Sequence, residues 1–127
     1  MEFPAEIESL DLSENEFVSV PEELSNFRSL KSVNLSQNPI ESLAEFTFNG
    51  DSEKFENLEE VLLEDCDQLA YVDDAAFAYL QNLKNVSFKN SALFYLRKGV
   101  KVRNKIIISR ASLFIVNYRW EISLRYF

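Results

Sequence analysis

Four stretches of the chain share one arrangement of apolar and polar positions. Counted from Ile7, Leu30, Leu58 and Leu83, each is apolar at its first, fourth and sixth places. The sets are Ile7, Leu10 and Leu12, then Leu30, Val33 and Leu35, then Leu58, Val61 and Leu63, then Leu83, Val86 and Phe88. Another apolar residue follows at the eleventh place in three of them (Phe17, Ile40, Leu93) and one residue later in the third (Leu69). The fourth and sixth places alternate at period two, which predicts a short strand with both side chains on one side. The intervening places face the other way. One such unit cannot bury its apolar side alone. Starts spaced 23, 28 and 25 residues apart therefore predict successive units stacked with their strands parallel.

The ninth place is Asn15 and Asn38 in the first two units. A buried amide there can bond main-chain groups of its own turn and the next, where the strand turns away. The full spacing of Leu30-Lys31-Ser32-Val33-Asn34-Leu35-Ser36-Gln37-Asn38-Pro39-Ile40 resembles the leucine-rich repeat family, L-x-x-L-x-L-x-x-N-x-L. The resemblance covers about residues 5–96, in four copies. It implies an α/β fold: a short leucine-rich-repeat solenoid with about four parallel strands on its concave face. Val20-Pro21-x-x-Leu24 and Ala76-Phe77-x-x-Leu80 then look like convex descending halves. The Ala-Phe form, common in extracellular members, implies a secreted or membrane-attached parent protein. Three departures stand out. Cys66 replaces the asparagine in the third unit, Ser91 replaces it in the fourth, and the second unit carries a polar insertion at 49–53. Residues 1–6 are too short for a dedicated cap, so the chain is expected to be a fragment or isoform of a longer repeat protein.

Charge divides the chain at the point where the pattern stops. Residues 1–96 hold 20 Asp and Glu against 5 Lys and Arg, whereas residues 97–127 hold 1 against 8. The tail is a basic run at 97–105 followed by β-branched and aromatic segments at 106–109 and 113–127. It is expected to be a non-repeat, β-prone segment of two or three strands. A tail of net +7 beside repeats of net −15 is expected to lie against them rather than bind nucleic acid or a membrane. No fifth copy of the Leu-x-x-Leu-x-Leu pattern follows at the required spacing. One reading of the tail is a makeshift cap over Phe88, Leu93 and Leu96. Another is that the chain is a truncated or misspliced product of a larger receptor or adhesion-type protein, with no independent function.

The outward places of the strands give the expected contact surface, binding a protein partner. Its residues are Lys31, Asn34 and Ser36 in the second unit, Glu59, Glu60, Leu62 and Glu64 in the third, and Lys84, Ser87 and Lys89 in the fourth. The second-place column, Glu8, Lys31, Glu59 and Lys84, alternates in sign and predicts a cross-strand charge ladder. Leu62 is apolar on a face expected to be wet, and acidic residues surround it, as in a small interaction patch.

Other chemistries find little support. The chain has no histidine, which removes Ser-His-Asp and Cys-His arrangements and histidine zinc sites, so no catalytic residue, metal or cofactor is expected. Glu64, Asp65, Asp67, Asp73 and Asp74 supply oxygen ligands, but their spacing matches no calcium loop. Cys66 is the only cysteine, so no internal disulfide forms. Two glycosylation sequons, at Asn34 and Asn85, lie on the expected contact face. No segment approaches the roughly 18–20 apolar residues of a membrane span, and residues 1–6 carry no signal-peptide pattern. The chain as written is expected to be soluble and intracellular.

Overall fold

The computed structural model describes residues 6–44, 47–48, 55–73, 75–77 and 80–92, together with the backbone of strands at 95–97, 106–109, 114–116 and 122–125. The insertion at 49–53, Asp74, Leu93 and the basic residues 98–105 lie outside the described residues, as do residues 1–5. The strands are β1 (Ser9–Asp11), β2 (Ser32–Asn34), β3 (Ser42–Leu43), β4 (Glu60–Leu62), β5 (Tyr71–Val72), β6 (Asn85–Ser87), β7 (Tyr95–Arg97), β8 (Ile106–Ser109), β9 (Phe114–Val116) and β10 (Ile122–Arg125). Among the described residues the one helical element is a 3-10 turn at Glu22–Asn26.

The expected four strands form a parallel sheet in the order β1-β2-β4-β6. Leu10, Val33, Val61 and Val86 stand opposite one another in that register. The sheet extends beyond them. β8 adds to β6 with Ile108 opposite Val86, and β10 adds to β8 with Leu124 opposite Ile108, all parallel. The pattern of the first four strands gave no sign of this continuation. β8 is a run of three isoleucines before Ser109, and a continuous β-branched run carries strand propensity without the alternation that marks a face.

A second strip of parallel pairing runs along the return path. β3 pairs β5, and backbone bonds extend the strip from Glu41 N to Val18 O and from Ala70 N to Glu41 O. β7 pairs β9, also parallel. The core lies between the strips. Leu30, Val33, Leu35, Ile40 and Leu43 of the second unit are fully buried, as are Leu58, Val61, Leu63 and Leu69 of the third. Phenylalanines fill the wider space behind them. Phe48 and Phe77 stack with ring centroids 5.8 Å apart, Phe55 meets Phe48 edge-on at 5.9 Å, and Phe88 lies 6.4 Å from Phe77. In the first unit Ile7, Leu10, Leu12, Phe17, Val20 and Phe27 are only partly buried against this core, and among the described residues β1 pairs with β2 alone.

The eighth place of every unit adopts the left-handed conformation: Glu14, Gln37, Asp65 and Asn90 have φ of 57°, 56°, 55° and 59°. A residue with a Cβ pays roughly 1–2 kcal/mol there. The conformation recurs because it turns the chain out of the strand while keeping a ladder bond. Glu14 N donates to Ser36 O, Gln37 N to Glu64 O, and Asp65 N to Lys89 O. Asn90 takes the same φ although the residue after it is Ser91 and not asparagine.

Candidate functional site

The ninth residue bonds the turn beside the strand in the first three units, through Asn15, Asn38 and Cys66. Asn38, 2% exposed, donates its amide to Leu35 O at 2.9 Å and Ser36 O at 3.2 Å within its own unit. It also donates to Leu12 O at 3.0 Å and accepts from Phe17 N at 3.2 Å. Its bonds to another unit therefore run to the preceding one, not to the following one as expected. Cys66 serves the same place with one weak bond, its thiol donating to Leu35 O at 3.5 Å. Burial pushes the Cys66 thiol above its ordinary range, against smaller lowering contributions from backbone bonds at Asn38 and Gln37. A buried thiol of that kind is a poor nucleophile. Thiol labelling of the native protein is therefore expected to advance only in step with unfolding in urea. Stoichiometric labelling without denaturant would contradict this.

On the outward side of the sheet, polar side chains link neighbouring strands. Lys31 Nζ lies 3.5 Å from Glu8 Oε1 and Lys84 Nζ 2.8 Å from Glu59 Oε1. The bond from Lys84 holds the Glu59 carboxyl below its ordinary range, helped by the charges of Lys84 and Lys31. Both pairs are open to water, so they order the face more than they stabilise it. One column over, Ser32 Oγ donates to Glu60 Oε1 at 3.0 Å.

The fifth and seventh places work together. Asn34 Oδ1 accepts from Ser36 N at 3.0 Å, and Asp11 Oδ1 accepts from Ser13 N at 2.9 Å and Ser13 Oγ at 2.6 Å. The Ser13 hydroxyl and then its backbone N–H hold the Asp11 carboxyl below its ordinary range. In the third unit the fifth place is Leu62, which can accept nothing. Glu64 N turns instead to Ser36 Oγ of the neighbouring unit, at 2.9 Å. Ser87 Oγ then donates to Glu64 Oε2 at 2.6 Å.

These links sort the ten expected contact residues. Lys31 and Lys84 are exposed, and Asn34, Glu59, Glu60, Leu62, Glu64 and Lys89 are half-buried on one continuous face. Ser36 and Ser87, 8% and 5% exposed, present little surface, and their hydroxyls are engaged within the sheet. The face thus centres on Leu62, with Glu60 two places before it, Glu64 two places after it, and Asn34 and Ser87 beside it in register.

A second set of asparagines escaped the sequence reading. Asn57 Nδ2 donates to Arg28 O at 3.1 Å, and Asn82 Nδ2 to Glu56 O at 2.6 Å. Each directly precedes the first apolar residue of its unit and reaches the equivalent carbonyl of the unit before. The signal was present as an asparagine immediately before Leu58 and Leu83.

A polar depression of about 480 Å³ is lined by Gln37, Asn38, Pro39, Asp65, Asp67 and Gln68. Among the described residues no group of three or more His, Cys, Asp or Glu side chains could hold a metal ion. Among them, too, no helix is long and apolar enough to cross a membrane. Compared with models of known protein families and with curated proteins, the chain matches none.

Proposed function

We propose that the chain is a leucine-rich-repeat solenoid that acts as a protein–protein interaction module, taking its partner on the concave, outward face of the sheet. The observation that carries the reading is Leu62. It is half-buried at the middle of that face, and its local backbone need is met by Ser36 rather than by its own side chain. An asparagine or aspartate at this place, as at Asn34 and Asp11, satisfies the turn internally. A leucine gives up that bond and leaves apolar surface among carboxylates, the composition of a contact centre with a polar rim. Repetition of the strand, the left-handed eighth place and the ninth-place bonds support the repeat assignment. Among the described residues the face carries seven carboxylates and three lysines at the outward places of the first four units. That balance favours a protein over a polyanionic nucleic acid.

The test is affinity capture followed by a titration with the captured protein. Leu62→Arg is expected to weaken binding at least about tenfold, the effect of losing a central anchor, while the melting temperature stays within a few degrees. Equal binding by both proteins would remove the face from consideration.

A further inference from the structure

Three outward side chains of β4 and the turn after it lie in one line. Glu60, Leu62 and Glu64 alternate with the buried Val61 and Leu63, so they share the outward face along the strand direction. Each carboxylate is held from a different neighbouring strand. Ser32 Oγ donates to Glu60 Oε1 at 3.0 Å, and Ser87 Oγ donates to Glu64 Oε2 at 2.6 Å. A hydroxyl fixes a carboxylate in place and leaves its charge. The lysines of the charge ladder are turned elsewhere, Lys31 to Glu8 and Lys84 to Glu59. Lys89 stands one strand over from Glu64 and does not close on it. Among the described residues neither Glu60 nor Glu64 is paired with a cation. Each keeps one oxygen that accepts no bond from a described residue, Oε2 of Glu60 and Oε1 of Glu64. Across the strands the charge stops, because Leu62 has Asn34 on one side and Ser87 on the other.

We infer that the partner taken by this face is an extended peptide segment with a basic, an apolar and a second basic residue at alternate positions. The inference rests on the reading of the face as a contact surface and names what that surface recognises. Direction follows from the line of side chains. An extended chain repeats on one side every second residue, about 6.7 Å apart, and Glu60, Leu62 and Glu64 are set at the same interval. A segment laid along β4 therefore places its apolar side chain on Leu62 and a cation against each carboxylate. A segment laid across the strands meets Asn34 and Ser87 to either side of Leu62 and neither carboxylate. Ser32, Ser36 and Ser87 are shorter than the row they flank, which leaves room for the peptide backbone beside it. One oxygen of each carboxylate already accepts a hydroxyl, so a single ammonium on each side is enough and the two-pronged grip of a guanidinium is not required. Glu60, Leu62 and Glu64 are all half-buried, and the apolar contact at the centre excludes water from the charged pairs around it.

The probe is a fluorescein-labelled peptide, Gly-Ser-Lys-Ser-Leu-Ser-Lys-Ser-Gly, titrated by anisotropy with the full chain at low salt. Binding is expected to saturate. A peptide of the same composition with adjacent lysines, Gly-Ser-Lys-Lys-Leu-Ser-Ser-Ser-Gly, is expected to bind about fivefold more weakly, since only one cation then meets its carboxylate. Glu60→Gln and Glu64→Gln keep an acceptor for the serine hydroxyl and remove the charge. Each is expected to weaken the first peptide about threefold to fivefold, with the melting temperature within a few degrees of wild type. Leu62→Arg is expected to weaken it at least about tenfold. Glu14→Gln, off that line, is expected to leave it unchanged. No saturation up to roughly 1 mM peptide, a weak-affinity limit, overturns the proposal. So does equal binding of the two peptides, or an equal loss on Glu14→Gln and Glu64→Gln, which is attraction to an acidic surface and not recognition. The contact surface itself is judged by the captured protein. A partner lost on Leu62→Arg and kept by Glu60→Gln and Glu64→Gln leaves the face standing and overturns the basic segment as its ligand.

Discussion

Phe77→Ala is expected to destabilise the protein by about 4 kcal/mol, the middle of the range for emptying a buried phenylalanine site. Phe77 is 2% exposed and stands between two other rings. Phe48 stacks on it with an interplanar angle of 12°, and Phe88 meets it at 57°. Those neighbours belong to different units. Phe88 follows β6 directly, and Phe48 lies on the return path after β3, so neither can move into the space without shifting its own backbone. The cavity would stay open, and both the transfer and the cavity contributions would be lost. Phe77→Leu keeps most of the volume and is expected to cost about 1–1.5 kcal/mol. Urea denaturation separates these outcomes, because a loss of stability at constant slope reads as a shift in midpoint. A Phe77→Ala loss below about 2 kcal/mol would mean that the rings relax together and that the aromatic spine is less closely packed than its distances indicate.

The aromatic spine also shows where sequence pattern stops being informative. Val33 and Leu35 were legible because a strand imposes period two, and a one-residue slip would expose both. Phe48 and Phe55 follow no such period. They flank the insertion at 49–53, and their burial is decided by how far the return path stands from the sheet. Phe55 even takes a φ of 60°, which no propensity for a bulky residue would indicate. The left-handed eighth place was equally hidden. Glu14, Gln37, Asp65 and Asn90 share little beyond polarity, and in the first three the ladder bond of the N–H holds the turn whatever the side chain.

The candidate face was readable as a set of positions, of which two, Ser36 and Ser87, present little surface. Parity assigned Ser36 and Ser87 to the outward side correctly. It could not show that their hydroxyls were already committed. Ser36 Oγ is needed because Leu62 cannot cap Glu64 N, and that dependency runs between residues 26 places apart. Charge was more transparent. The alternation down the second-place column became ion pairs from Lys31 to Glu8 and from Lys84 to Glu59, because parallel strands in register bring equal places within about 5 Å of each other. The tail was legible in strand content alone. Which strand its isoleucines would join depends on the free edge of β6, which no local pattern records.

Asn38→Ala is expected to cost about 2–3 kcal/mol, and the carbonyls it bonds explain why the figure is not larger. Leu12 O still accepts from Asn15 Nδ2, Leu35 O from Cys66 Sγ, and Ser36 O from Glu14 N. None of the three is orphaned. Phe17 N is, because among the described residues its one bond is to Asn38 Oδ1. An unpaired donor away from water costs about 1–3 kcal/mol, and the loss of packing around a side chain only 2% exposed adds to it. Asn38→Asp separates the two roles. It keeps an acceptor for Phe17 N but faces a carboxylate toward three carbonyl oxygens. Burial and those oxygens raise the pKa of the new acid in the folded state. Its neutral form is then the better tolerated one. The Asp variant is expected to lose more stability than the Ala variant at pH 7 and to recover as the pH falls toward the ordinary carboxylate range, whereas the Ala variant keeps a constant deficit relative to wild type. Denaturation midpoints for the three proteins at pH 7 and pH 5 read this directly. A pH-independent Asp deficit would show that the carboxylate reaches water, and with it that the turn opens more readily than the bonds to Leu12 and Phe17 indicate.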